Sequence, residues 1–161
     1  MSNKLYIDSC ILVSYFDEND TGTQHKETIA FLDKCEKDLS FELCLSSWTL
    51  TESMKVLLVS KNFIKSDVLA LFEELLRKKR LGNVKITILP DPKKPKYDLD
   101  EFFYDVQKKI LRYRIGVGDL MHLVIMDLHD IKTIITFNDK DFKKFKETRV
   151  IQPKNIGKNK F

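Results

Sequence analysis

Short β-favouring runs alternate with longer stretches of helical periodicity along this chain, and that alternation limits the folds open to it. Leu5–Ile7 breaks off at Asp8 and Ser9, and Ile11, Leu12 and Val13 follow as the apolar part of a short helix. His25 to Lys37 carries Ile29 and Leu32 at helical spacing, and Phe41 to Ser46 reads as a second strand. Ser47 begins a helix through about Ser60 with Leu50, Met54, Leu57 and Leu58 as its apolar stripe. A third helix, with Ser66 as its N-cap, reaches about Arg80 and stops at Leu81, Gly82 and Asn83. Val84 to Ile88 alternates as a strand, and the proline-punctuated loop from Pro90 to Lys96 leads to a helix from about Leu99 to Arg112. After a loop from Arg114 to Gly118, the stretch Asp119 to Leu128 is apolar over most of its circumference, the pattern of a buried central helix. Thr133 to Thr136 is a β-branched strand, Asn138 to Asp141 a polar turn, and Val150 and Ile151 a last short strand. Strands separated by helices pair in parallel through crossovers, so the expected class is an α/β sandwich around a mostly parallel sheet of four to five strands.

A chain of 161 residues that is 43% hydrophobic has material for one core and no second full domain. The expected division is a domain over residues 1–152 and a basic tail over residues 153–161. No charged segment followed by an apolar stretch opens the sequence, and no apolar run approaches the ~20 residues needed to span a bilayer. Cys10, Cys35 and Cys44 are an odd number at unrelated spacings, which suits reduced thiols serving as small core filler. A cytoplasmic protein without membrane contact is therefore expected.

In an open parallel sheet, chemistry gathers beyond the carboxyl ends of the strands, so acids placed there carry the most information. Asp8 ends the first strand, and Asp139 and Asp141 follow the Thr133 to Thr136 strand. Glu52 lies among Leu50, Met54 and Val56, and Asp119 immediately precedes Leu120 and Met121. An acid beside a core-facing stripe is costly unless it is paired, hydrogen-bonded or metal-bound. Each also has an ordinary explanation: Asp8 and Ser9 as a turn, Asp119 as a helix-start acid, Asp139 and Asp141 as turn residues, Glu52 as a solvated position. His122, one helical turn from Asp119, reads first as a hydrogen-bonded core histidine and second as a group that positions a phosphate or an acid. No GxGxxG, GxxxxGK[ST] or Ser-His-Asp ordering supports a cofactor, nucleotide-triphosphatase or triad-hydrolase reading.

Four blocks, taken together and in order, carry a family resemblance. Tyr6-Ile7-Asp8-Ser9, Ser47-Trp48-Thr49-Leu50-Thr51-Glu52, Gly118-Asp119-Leu120-Met121-His122 and Thr136-Phe137-Asn138-Asp139-Lys140-Asp141-Phe142 resemble the signature blocks of PIN domains, with VapC-type toxins and stand-alone archaeal PIN proteins as the nearest flavour. The resemblance implies a three-layer α/β/α fold and a metal-dependent ribonuclease whose acids converge on Mg²⁺ or Mn²⁺. Two carboxylates ~4 Å apart repel by roughly 4 kcal/mol at an effective dielectric near 20, so such a cluster calls for a cation. Hard oxygen donors without paired Cys or His favour Mg²⁺ or Mn²⁺ over zinc.

By the same resemblance Asp8, Glu52 and Asp119 are metal ligands, and Ser9 and Thr136 are hydroxyls beside the pocket. The fourth acid is assigned to Asp141 with Asn138 in support, and Asp139 is its nearest competitor. The implied partners are an RNA substrate, a small antitoxin and a second copy of the chain, with a catalytically weak RNA-binding or assembly PIN domain as the alternative. Basic runs at Arg77 to Arg80, at Lys93, Lys94 and Lys96, and from Lys143 to Lys160 read as solvated surface or as an RNA-backbone footprint. With four acids neutralised by metal, 28 bases would stand against 20 acids, a more RNA-attractive exterior than the formal +4 indicates.

Overall fold

The computed structural model describes residues 3–90 and 99–157. The Asp91 to Lys96 part of the expected loop, with Lys93, Lys94 and Lys96, and the tail lysines Lys158 and Lys160 lie outside them. The chain runs β1 (Asn3–Ile7), α1 (Ser9–Phe16), α2 (Gln24–Lys37), β2 (Phe41–Leu45) and α3 (Ser47–Lys55). A π-helical turn (Val56–Ser60) extends α3 before α4 (Lys65–Lys78), β3 (Arg80–Leu81) and β4 (Val84–Ile88). Then come α5 (Leu99–Tyr113), α6 (Val117–Leu128), β5 (Thr133–Ile135), the one-turn α7 (Asp139–Phe142), β6 (Arg149–Ile151) and a 3₁₀ turn (Pro153–Asn155).

The sheet order is β3-β4-β2-β1-β5-β6. All pairs are parallel except β3 with β4, a hairpin closed by Gly82 and Asn83 with Gly82 at φ +57°. Six strands thus replace the expected four to five; β3 is two residues long, too short for its alternation to be visible in sequence. Two further expectations need correction. Ser66 is not the N-cap of α4, whose cap residue is Ile64 with no side-chain bond, and Ser66 bonds Asp67 instead. Asn138 to Asp141 is not a turn alone, since Asp139 to Phe142 closes a helical turn whose Phe142 is fully buried.

Alternation along the parallel strands divides the core into two layers. Leu5 and Ile7 of β1 pack with Leu43 and Leu45 of β2 against Ile11, Phe31, Val68 and Phe72 from α1, α2 and α4. Tyr6 and Ile134 point the other way, into Val106 of α5 and Leu120, Leu123 and Val124 of α6. Leu57, Val68 and Phe72 belong to the first layer, so apolar surface in those helices is left to neighbours such as Leu58, Val59 and Leu69. The result is the three-layer α/β/α sandwich. From β1 the chain builds the sheet one way through β2 to β4, then returns to β1's other side through β5 and β6. The carboxyl ends of β1 and β5 therefore flank the switch point where strand order reverses, the crevice in which such sheets place their sites.

Candidate active site

Asp8 leaves β1 one residue past the Ile7 and Ile135 register pair, and its amide donates to Ile135 O at 3.1 Å. It is the N-cap residue of α1 in extended conformation (φ −70°, ψ 155°), yet its side chain makes no capping bond. The carboxylate is turned instead into a buried set of donors. Thr136 Oγ1 donates to Oδ2 at 2.5 Å, Cys10 Sγ lies 3.1 Å from the same oxygen, and Ser9 Oγ lies 3.3 Å from Oδ1. Thr136 is anchored in turn by the Asn138 amide at 2.9 Å.

Glu52 arrives from α3, whose start is fixed by Ser46 Oγ accepting from the Thr49 amide at 3.1 Å. Its Oε2 accepts from Ser9 Oγ at 2.6 Å and faces His122 Nε2 at 2.9 Å. These bonds hold the Glu52 carboxyl below the usual range, His122 contributing most, although burial works against them. The other oxygen, Oε1, lies close to Gly118: a Cβ placed there would come within 2.9 Å. Trp48 Nε1 donates to Gly118 O at 3.2 Å and pins α3 to the first turn of α6.

Asp119, on that first turn, is half-buried and makes no hydrogen bond or ion pair among the described residues. Burial, then the nearby charges of Asp8 and Asp141, push its carboxyl from 3.8 up to about 6. Asp141 is partnered: Lys144 Nζ lies 3.0 Å from Oδ1 and Asn138 Nδ2 3.4 Å from Oδ2, and the lysine holds its carboxyl below the usual range. Asp139 pairs with Lys143, which holds its carboxyl below the usual range. The structure therefore brings Asp8 and Glu52 within one ion's reach, sets Asp119 in the field of both and of Asp141, and pairs Asp139 with Lys143.

Two further side chains join the acids, His122 with both of its sequence readings met and Cys10 without any sequence signal. His122, fully buried, joins Asp8 and Glu52 in a group whose ligand atoms lie within 4.8 Å of one another. It is the hydrogen-bonded core histidine of the first reading, and it touches the acids of the second. Cys10 is more than core filler, since its sulfur also accepts from the Phe137 amide at 3.3 Å. Cys35 and Cys44 are buried, as filler should be.

The donor set suits a hard divalent cation. Asp8, Glu52 and Asp119 are carboxylates with no Lys or Arg ion pair among the described residues, and burial, reinforced by the like charges of Asp8 and Asp141, raises the Asp119 carboxyl, a state that a cation would relieve.

Comparison with known proteins agrees with this architecture. The family model described as PIN domain matches residues 5–148. Among solved structures, VapBC-1 from nontypeable Haemophilus influenzae superposes with TM-score 0.62 at 14% identity, covering 93% of this chain and 98% of the other. VapBC2 from Rickettsia felis, bound to a DNA fragment from its promoter, gives TM-score 0.60 at 16% identity over 92% and 98%. FitAcB from Neisseria gonorrhoeae gives 0.57 at 14% identity over 92% and 97%. No curated protein sequence matches the chain.

Proposed function

Because the chain belongs to the PIN domain family, we propose that it is a metal-dependent endoribonuclease that hydrolyses RNA phosphodiester bonds, as the toxin of a toxin–antitoxin pair. The observation that carries this reading is the convergence of Asp8 and Glu52 with the unpartnered, up-shifted Asp119 at the sheet's switch point. Asp8, Glu52 and Asp119 would hold Mg²⁺ or Mn²⁺, with Asp141 as a fourth acid. Such an ion, bound there, would activate water and offset charge on the leaving oxygen.

The chain's own residues prepare the site. Thr136 and Ser9 fix the carboxylates of Asp8 and Glu52, so little rotamer freedom remains to be lost on binding. Asp119, having no partner to release, is free to accept a cation. Asn138 steadies Asp141, and Asp139 serves the α7 turn through Lys143. One observation favours the alternative of a catalytically weak RNA-binding PIN domain: Asp141 is already occupied by Lys144.

VapBC and FitAB structures among the neighbours support a small antitoxin as partner. Leu58, Val59, Ile64, Leu69 and Leu76 are exposed around the end of α3 and along α4, apolar area suited to that partner or to a second copy. No helix of the described residues is long and apolar enough to cross a membrane. The free cysteines accord with a reducing cytoplasm.

The deciding experiment is cleavage of an RNA panel with Mg²⁺ or Mn²⁺ by wild type, Asp8→Asn and Asp119→Asn. Metal-dependent cleavage by wild type alone is expected. Equal activity in all three would reject the reading, and RNA affinity without metal-dependent cleavage would select the alternative.

A further inference from the structure

His122 Nε2 lies 2.9 Å from Glu52 Oε2 and 3.3 Å from Asp8 Oδ1. Carboxylate oxygens only accept hydrogen bonds when ionised, so a nitrogen set between two of them must carry the proton. The far side of the ring explains how that proton is kept there. Nδ1 faces Tyr6 OH at 3.0 Å, and Tyr6 OH is met by Ser46 Oγ at 2.5 Å and Thr49 Oγ1 at 3.1 Å. With Nδ1 as acceptor, Tyr6 donates to it while Ser46 or Thr49 donates to the phenol oxygen, and no described buried side-chain nitrogen or oxygen is left without a partner. With the proton on Nδ1 alone, a bare Nε2 lone pair would face two carboxylates in an enclosed site, an arrangement with nothing to offset it.

We propose that His122 is a positioning residue, a clamp that spaces Asp8 and Glu52 with one Nε2 proton, donated to Glu52 Oε2 and facing Asp8 Oδ1 at ion-pair distance, with Tyr6, Ser46 and Thr49 holding its ring. The clamp spans three elements: His122 on α6, Asp8 after β1 and Glu52 on α3. It rests on the reading of these acids as a cation site. It also assigns His122 away from the role its distances otherwise allow, because a nitrogen that keeps its proton cannot also be a ligand. Tyr6 packs edge-on to the imidazole, with centroids 5.5 Å apart, so ring orientation is fixed by shape as well as by hydrogen bonding.

The direct test is the ring-nitrogen spectrum of ¹⁵N-labelled protein, with His122 assigned by its loss in His122→Gln, recorded with and without saturating Mg²⁺. Nε2 is expected to carry a proton in both states. A bare Nε2, or one that moves to a coordinated position when Mg²⁺ is added, would overturn the clamp. Mn²⁺ titration by calorimetry gives a second readout. Loss of the donor in His122→Ala should weaken Mn²⁺ binding by about 10- to 100-fold, as changes behind metal-binding carboxylates do, and His122→Gln, which keeps an N–H, should recover part of it. Should the alanine variant fail to fold, Tyr6→Phe removes one oxygen only, and about a 10-fold weakening is expected for one lost hydrogen bond. A folded Tyr6→Phe protein with unchanged Mn²⁺ affinity would overturn the proposal. Wild type that shows no saturable Mn²⁺ binding would overturn the nuclease reading as well, whereas normal binding with a bare Nε2 overturns the clamp alone.

Discussion

Thr136 Oγ1 donates to Asp8 Oδ2 at 2.5 Å, joining the ends of β1 and β5 at the point where the strand order of the sheet reverses. Asp8 is only 4% exposed and Thr136 fully buried, so this bond replaces hydration that the carboxylate has lost. Thr136→Val keeps the shape and removes the donor. It should lower stability by about 1–3 kcal/mol, the penalty for an under-satisfied buried charged acceptor, while Thr136→Ser should lose much less. Denaturant melts of the two variants check this, and equal losses would assign the effect to packing rather than to the hydroxyl.

Gly118 controls the room left for Glu52. A Cβ at this position would sit 2.9 Å from Glu52 Oε1, and the carboxylate cannot simply swing aside because Ser9 and His122 hold its other oxygen. Gly118→Ala also improves helix propensity within α6 by about 0.5–1 kcal/mol. The expected outcome is therefore a separation of effects: near-unchanged melting temperature with Mn²⁺ affinity reduced by about 10-fold or more, read by calorimetry. Unchanged affinity would mean that Glu52 is not held where its hydrogen bonds place it.

Glu52 and Gly118 also show what sequence can and cannot carry. The parallel strands and their helices are legible because a β-branched or apolar run breaks off at a polar residue, as β1 does at Asp8 and β2 at Ser46, or at a proline, as after β4 at Pro90. β3 is not, because two residues have no period. The helical turn after Asn138 reads as loop, since polar turn residues fill it and its one buried anchor, Phe142, gains meaning only from the core it enters. At the site, Asp8, Glu52 and Asp119 stand out as acids at strand ends or beside apolar stripes. Tyr6, Ser46 and Thr49 do not. Each is locally ordinary, a strand aromatic, an N-cap and a helix threonine, and they meet only when parallel pairing brings β1 beside β2. His122 was visible as a buried polar residue, but which acids it touches depends on how α6 crosses the sheet.

The Asp119 carboxyl gives the protein a defined pH signature. Its value in the fold is about 6 against an ordinary 3.8, with burial the main cause. The folded state thus retains a proton that the unfolded chain has already released, and metal-free stability should fall as pH rises from about 4 to about 6. Because the side chain is half-exposed, solvent screening reduces the effect to on the order of 1 kcal/mol. Asp119→Asn should flatten that interval and stabilise the metal-free protein at neutral pH. Mn²⁺ affinity of wild type should drop below about pH 6 as the ligand protonates. Melting curves and Mn²⁺ titrations across this range check both statements, and a wild-type profile that the substitution leaves unchanged would contradict the assigned cause.

Beyond Asp141, a surface cavity of about 280 Å³ is lined by Lys109, Arg112, Lys144 and Lys146 around Tyr113. Two of these cations are committed, Lys109 to Asp127 at 3.0 Å and Lys144 to Asp141 at 3.0 Å. Arg112 lies over the Tyr113 ring at 5.1 Å, and Lys146 has no ionic partner among the described residues. If RNA leaving the acidic site crosses this cavity, the two uncommitted cations contribute most of the counterion release, because paired ones must first surrender a bond. The double variant Arg112→Gln, Lys146→Gln should therefore reduce the slope of log affinity against log salt for single-stranded RNA by about 1.4, at roughly 0.7 for each phosphate that is no longer neutralised. Lys109→Gln should change the slope little. Filter binding across a salt series, with Ca²⁺ replacing the divalent ion used for cleavage, measures this; an unchanged slope in the double variant would place the RNA path elsewhere on the surface, and an equal loss on Lys109→Gln would mean that pairing does not withhold a cation from RNA.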